Sequence, residues 1–202
     1  MGPRLLTKNN KKFEKNIMQT WKHSDLKGAP QIYKTSQPTW LMYHPKWHYD
    51  FMEDKHIEVF MAVKYPWFYN NIWKKHYEKI ILRADAIRYF YLFEYGGIYT
   101  DMDNECLRNF EPLLNSINEN VILGQLSVYC SNSIPNALMI SKKKKHLFWL
   151  VVIKLLIESC KKSYGDVESR TGPILLTKAV LFYNKNKVED IINYVYDILK
   201  PL

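Results

Sequence analysis

Cysteine is scarce and scattered in this chain. There are three, Cys106, Cys130 and Cys160, and no two form a Cys-x-x-Cys pair. An odd, dispersed set argues against a zinc site or a disulfide framework and suits a reducing compartment. No Asn-x-Ser/Thr sequon occurs, so one mark of a glycosylating secretory route is missing. No run approaches the ~18 apolar residues of a membrane span. The richest stretch, 147–157, is interrupted by Lys154. Residues 1–15 are polar and basic, without the apolar core of a signal peptide. The expected location is therefore cytoplasmic or peripheral to a membrane. Also missing are a Gly-x-x-x-x-Gly-Lys-Ser/Thr loop, a Gly-x-Gly-x-x-Gly turn and a His-Glu-x-x-His pair. Phosphate cradling, dinucleotide binding and zinc hydrolysis by those motifs are excluded with them.

What is present fits one domain with a sizeable core in 202 residues. The net charge of +9 favours an anionic partner: nucleic acid, a phosphorylated ligand or an acidic membrane. Apart from 8–15 and 142–145 the charge is dispersed. No recognition motif accompanies it, so nucleic acid is not expected. The 142–145 lysines read first as a solvated face, with membrane contact through such basic patches as the alternative. Aromatics reach 15%, enough for a core with polar edges or for surfaces that stack on sugars and bases.

Residues 1–12 read as a disordered basic arm and 13–202 as the domain. Strand patterns fall at 16–20, 47–52, 98–99, 121–125 and 137–141. Helical patterns fall at 39–44, 53–63, 67–77, 81–95, 110–117, 146–160, 173–182 and 188–199, with 24–36 as a loop. Alternating strands and helices give an α/β class.

The densest information lies in 82–107. The helix over 81–95 is apolar almost all round, so it should be enclosed on most sides. Its polar exceptions are Arg83, Asp85, Arg88 and Glu94. Asp85 and Arg88 share a face. They are either an ion pair that neutralises itself or a pair reserved for a ligand. Gly96 or Gly97 can take the left-handed turn that ends a helix. Asp101 and Asp103 follow the next strand and, on extended backbone, point the same way. Two such carboxylates suit Mg²⁺ or Mn²⁺. By itself Asp-x-Asp is a weak signal. An EF-hand loop from Asp101 fails, because its sixth position is Cys106 and its twelfth is Pro112. A haloacid-dehalogenase-type phosphatase is an alternative. Its motif wants Thr or Val where Glu105 stands, and it normally opens the domain. Trp21 and Tyr99 admit a core reading as well as a site reading. His23, His44, His48, His56 and His76 show no ligand spacing.

The stretch Arg-Ala-Asp-Ala-Ile-Arg-Tyr…Leu-Phe-Glu-Tyr-Gly-Gly-Ile-Tyr-Thr-Asp-Met-Asp resembles the signature of the family 32 glycosyltransferases. That family includes fungal initiating α-1,6-mannosyltransferases and inositol-phosphoceramide mannosyltransferases, and a similar block occurs in the glucosylating toxins. Further segments follow in the family's order across about 16–182. They are Ile17-Met18-Gln19-Thr20-Trp21, Trp40 with Tyr43-His44-Pro45, Asn136-Ala137, His146-Leu147-Phe148-Trp149 and Thr171-Gly172-Pro173. The resemblance implies a GT-A fold, with the metal motif at a strand end. It implies a hexose moved from a nucleotide sugar (GDP-mannose or a UDP-hexose) to a glycan, lipid or protein hydroxyl, with retention of configuration. It further implies Asp103 as direct ligand to Mn²⁺ or Mg²⁺. Asp101 would hold the ribose and reach the metal through water. Asp85 and Arg88 would contact the donor sugar and diphosphate, Trp21 would stack on the base, and Tyr99 would line the pocket. A nucleotide-sugar-binding protein without turnover is the other alternative. Family members often continue to a C-terminal lid bearing a histidine. No histidine follows His146 here, so the expectation is a domain without the usual lid.

Overall fold

The structure, a computed structural model, describes residues 13–124, 134–160 and 166–199. The arm expected over 1–12 lies outside the described residues. Five strands form one mixed sheet in the order β2-β1-β3-β5-β4. They are β1 Asn16–Thr20, β2 His48–Met52, β3 Gly97–Thr100, β4 Val121–Leu123 and β5 Leu138–Ser141. The first three run parallel, with Met18 beside Asp50 and Tyr99. β5 is antiparallel to both β3 and β4, pairing Ile98 with Ile140 and Ile122 with Ile140. The α/β class holds. The antiparallel edge is a tertiary outcome with no local sequence signal.

Alternation along the strands divides two cores. Met18, Tyr99 and Met139 face one side. They pack with helices α2 (Asp54–Lys64), α5 (Ile80–Tyr95), α7 (Leu147–Cys160) and α9 (Pro173–Lys185). Ile17, Ile98 and Ile140 face the other, against Trp40 of α1 (Gln31–Tyr43) and Leu114 of α6 (Glu111–Ser116). α5 is enclosed as expected, with Leu82 and everything from Asp85 to Phe93 buried. It stops at Gly96, whose φ is +65° and whose N–H reaches Leu92 O at 3.0 Å. Gly97, at φ +94°, then starts β3 hard against β1. A Cβ there would lie 2.3 Å from Asn16 O, so only glycine fits.

Two helices depart from the sequence expectation. The first begins at Gln31, inside the presumed loop, and runs through Pro38. Pro38 costs a backbone hydrogen bond, but Trp40 anchors the helix, 1% exposed with its Nε1–H on Asn104 O at 2.7 Å. The segment expected as a helix over 67–77 is broken by a π-helical turn, Tyr69–Trp73. It lies between α3 (Pro66–Phe68) and α4 (Lys74–His76). The turn buries Ile72 and Trp73 together. Beyond α7 a single turn, α8 (Val167–Arg170), precedes α9, and α10 (Val188–Leu199) closes the described chain.

The 142–145 lysines are not one solvated face. Lys142 is 3% exposed. Its Nζ donates to Leu114 O at 2.7 Å and Ile117 O at 2.6 Å, closing the C-terminal end of α6. Lys145 pairs with Glu94 at 2.5 Å. Lys143 and Lys144 alone stay exposed without such pairing. A cation on a helix C-terminus gains from its dipole, and hydrogen bonds from charged donors are the stronger ones. Lys142→Met should therefore lower urea-unfolding stability by about 2–3 kcal/mol. Lys144→Met should stay within about 0.5 kcal/mol of the parent. Equal effects would mean that Lys142 does not cap α6.

Candidate active site

The parallel strands all end on one side of the sheet, and β3 delivers its aspartates there. β3 stops at Thr100. Asp101 leaves the sheet with its N–H on Ala137 O at 2.8 Å, and Asn104 N–H returns to Asp101 O at 3.2 Å. The two carboxylates therefore come from a turn, not from extended backbone as the alternation argument supposed. Met102, between them, turns inward at 3% exposure. Asp103 is exposed, and among the described residues its carboxylate takes part in no hydrogen bond or ion pair. α1 braces this turn: Trp40 holds Asn104 O, and Thr39 Oγ1 accepts Cys106 N–H at 2.8 Å. Gln19 Nε2 donates to Asp101 O at 3.1 Å, and Gln19 Oε1 accepts from Tyr49 OH at 2.7 Å.

Behind the turn lies a buried polar network. Arg88 Nη2 meets Asp85 Oδ1 at 3.0 Å, and its Nη1 meets Asp101 Oδ1 at 3.3 Å. Nη1 also donates to Asn136 O at 2.9 Å and Nε to Ala84 O at 3.2 Å. The guanidinium lies over the Tyr99 ring, 4.4 Å from its centre, while Tyr99 OH donates to Asp101 Oδ1. Asp85 accepts Asn136 Nδ2–H at 3.1 Å and Thr171 Oγ1–H at 3.2 Å. Tyr89 OH donates to Thr171 O at 2.8 Å. Asn136 and the Thr171-Gly172-Pro173 start of α9, distant in sequence, thus converge on Asp85. A charge this deep requires partners, and here each is met. Burial works to lower the Arg88 pKa. Tyr99, Asp101 and Asp85 outweigh it, so the guanidinium stays charged. Burial raises the Asp101 carboxyl above the usual range, opposed by Arg88 and the Tyr99 hydrogen bond and reinforced by Asp103 and Asp85.

In front of the turn stands an aromatic pair. Trp21, just past β1, meets Tyr33 of α1 edge to face at 4.8 Å. Both pack on Leu26, Ala29 and Met102. Burial raises the Tyr33 phenol above its ordinary pKa, and the Asp103 and Asp101 charges add to the rise. The loop that carries Trp21 is tethered through Glu53, which accepts Ser24 N–H at 2.9 Å and pairs with Lys55 at 2.7 Å. Lys55 first, then Ser24, brings the Glu53 carboxyl down from 4.5 to about 2. Because the folded value is depressed, the tether is present above pH 4.5 and is lost as pH falls toward 2. The Ser24 amide proton should titrate with a midpoint near 2, and Glu53→Gln should abolish that titration. A midpoint at the ordinary value would refute the tether.

Of the residues singled out from sequence, Asp85, Arg88, Tyr99 and Asp101 form one connected network. Asp103 and Trp21 adjoin it. Among the described residues no three His, Cys, Asp or Glu side chains group to hold a metal on their own. Tyr99 is 1% exposed, so it sits behind the pocket. Arg88 faces protein oxygens with each of its three nitrogens. Sequence reasoning missed Tyr33, which Gly28 and Pro30 had consigned to a loop. It also missed the bracing role of Trp40.

The chain is similar over its length to known proteins. It is 34% identical over 167 residues to the mannosyl phosphorylinositol ceramide synthase CSH1 of Saccharomyces cerevisiae, covering 81% of this chain and 41% of that protein. It is 39% identical over 101 residues to inositol phosphoceramide mannosyltransferase 3 of Schizosaccharomyces pombe, covering 50% of this chain and 27% of that protein. The chain thus spans less than half the length of either relative. Its fold matches that of PaToxG glycosyltransferase with a TM-score of 0.62 at 15% identity, over 94% of this chain and 75% of that one. That likeness shows a fold shared with a glycosyltransferase. Residues 30–122, which carry α1, the Asp85–Arg88 pair and both aspartates, match the profile of the glycosyltransferase sugar-binding region containing a DXD motif, and it is this family that the stretch resembles.

Proposed function

We propose that the chain binds a nucleotide sugar at Asp101–Asp103 and transfers its hexose, mannose foremost, to an acceptor hydroxyl. One observation carries the reading: an exposed, unpaired Asp103 stands beside an Asp101 fixed by Arg88 and Tyr99, with both charges acting on Tyr33, the edge-to-face partner of Trp21. Mannose is preferred because both relatives are named for mannosyl products or transfer.

Trp21 would stack on the base, its orientation set by Tyr33. Asp101 would accept a ribose hydroxyl, its carboxylate aimed by Arg88 and Tyr99. Asp103 would hold Mn²⁺ or Mg²⁺, with Asp101 assisting through water. Two carboxylates suit a cation that takes its remaining ligands from diphosphate and solvent. When bound, such a cation neutralises the diphosphate and makes it a better leaving group. Asp85 and Arg88 act as positioning residues, since their polar atoms are turned to Asn136, Thr171 and Asp101. In the transfer, the acceptor oxygen bonds to the anomeric carbon as the bond from that carbon to the phosphate oxygen breaks. The electron pair leaves with the nucleoside diphosphate, and the hydroxyl proton passes to the departing phosphate oxygen. Attack from the leaving-group side retains configuration and requires no protein base.

The test is nucleotide release from GDP-mannose and from a UDP-hexose with Mn²⁺, alongside thermal shift by the free diphosphates. Release that ceases in chelator supports the reading. A shift without release supports a binding protein without turnover. Neither effect overturns both.

A further inference from the structure

α2 carries two apolar stripes where a surface helix needs one. Ile57 and Met61 are buried in the core. Val59 and Val63, one turn apart, stand outward at 62% and 70% exposure, and Trp67 continues the four-residue spacing onto α3 at 37%. Neither the core nor the donor network uses these three side chains. Lysines flank them, Lys55 and Lys64 on α2 and Lys74 and Lys75 on α4, all exposed. Lys55 pairs with Glu53, and Lys64 has only a long contact with Glu94 at 4.0 Å. Lys74 and Lys75 make no ion pair among the described residues. The one acid between 55 and 75 is Glu58, and it is turned to the protein. It accepts Trp73 Nε1–H at 2.9 Å and Arg83 Nη1–H at 2.7 Å. The π-helical turn keeps this division, sending Ile72 and Trp73 inward and leaving Lys74 and Lys75 outside. Asn70 and Asn71 donate side-chain N–H to Pro66 O and Trp67 O, each at 2.9 Å, which holds the segment bearing Trp67 in shape. α2 packs against α3 and the π-helical turn, so one flank of the domain gathers these residues.

From this we infer that the flank formed by α2, α3 and α4 docks on an anionic lipid bilayer. The inference does not depend on the reading of Asp101–Asp103. Charge complementarity carries it: four outward lysines and no outward acid over 55–75 call for a negative surface. The apolar ridge between them adds a second demand. A purely ionic partner would leave Val59, Val63 and Trp67 in water. A purely apolar one would strip the lysines of solvent without a counter-charge. A second copy of the chain on this face would set lysines against lysines. An acidic bilayer meets both demands. Tryptophan with aliphatic neighbours settles at the level of the headgroups. The lysine stems lie along the apolar surface while their ammonium groups reach the lipid phosphates and carboxylates. The 142–145 lysines cannot serve instead, since Lys142 is spent on the end of α6 and Lys145 on Glu94.

The experiment is co-sedimentation of the full chain with vesicles of phosphatidylcholine, alone or mixed with phosphatidylserine. The chain should bind the mixed vesicles, bind phosphatidylcholine alone at least tenfold more weakly, and release from the mixed vesicles as salt rises. Lys74→Gln with Lys75→Gln should weaken binding to the mixed vesicles by roughly tenfold or more. Val63→Ser with Trp67→Ala should weaken it by roughly tenfold as well. Lys143→Gln with Lys144→Gln removes the same charge elsewhere on the surface and should stay within about twofold of the parent. All six side chains are exposed, so the thermal transition should stay in place in every variant. Equal losses from the two lysine pairs would mean that bulk charge alone drives binding and would overturn the proposal. So would a Val63→Ser, Trp67→Ala variant that binds like the parent, or the absence of vesicle binding. Sedimentation velocity without lipid covers the remaining occupant. Self-association that the Val63 and Trp67 changes abolish, with no vesicle binding, would make the flank an interface between copies and sink the bilayer assignment.

Discussion

Asp103→Ala should reduce nucleotide release by about a thousandfold or more while leaving the unfolding transition where it is. The two halves of that result come from one fact. Asp103 is exposed and bonded to nothing in the described structure, so the fold does not depend on it. A carboxylate left free at the end of the central strand is available to a ligand. Holding the charge that balances a departing diphosphate is worth several kcal/mol of barrier. Each factor of ten costs about 1.4 kcal/mol, so about 4 kcal/mol gives the expected loss. Asp101→Ala makes the informative contrast. The Asp101 carboxylate is tied to Arg88 and Tyr99, so its removal should lower both activity and melting temperature. Chelator should bring the parent protein down to the level of Asp103→Ala and have no further effect on that variant. If Asp103→Ala turns over normally, or if chelator slows it further, Asp103 is not the metal-holding residue.

What was legible in the chain was local. Helix, double glycine, strand and aspartates follow one another within one short stretch, so their order alone predicts the unit that the structure contains. The Asp85–Arg88 pairing needed only the helical period. What was hidden depended on distant residues. Gly28 and Pro30 argued for a loop, yet α1 forms because Trp40 has Asn104 to hold. Tyr33 reaches the site only through that helix. Lys142 looked like one of four solvated lysines until the end of α6 was seen to lie over it. The aspartates looked extended because alternation is the only rule available without knowing that Asn104 would close a turn onto Asp101 O. Asn136 and Thr171 stood out only through family resemblance. Their reason is physical: together with Arg88 they occupy three directions around the buried Asp85 carboxylate.

Arg88→Met should be the most destabilising single change in this network, at about 3–5 kcal/mol. That is a large part of the ~5–15 kcal/mol that folded domains possess. Arg88 is the only cation paired with both Asp85 and Asp101 in the described structure. Most of the loss belongs to Asp85, whose side chain is 9% exposed. Asp101, at 33%, is partly rescued by water. The pH dependence has a definite sign. Burial already raises the Asp101 carboxyl, and Arg88 opposes that rise. Without Arg88 the folded-state Asp101 carboxyl titrates still further above its value in the unfolded chain. Such groups favour folding below the unfolded pKa, and that support fades as pH rises through the folded value. The deficit of Arg88→Met should therefore be smaller at pH 5 than at pH 8. Neutralising the partner should also repair it: Asp85→Asn combined with Arg88→Met should cost less than the two changes added, by about 1–3 kcal/mol. Urea denaturation of the four proteins at both pH values measures all of this. Additive, pH-independent losses would show that Arg88 stabilises the fold by filling space, and not by holding two carboxylates in place.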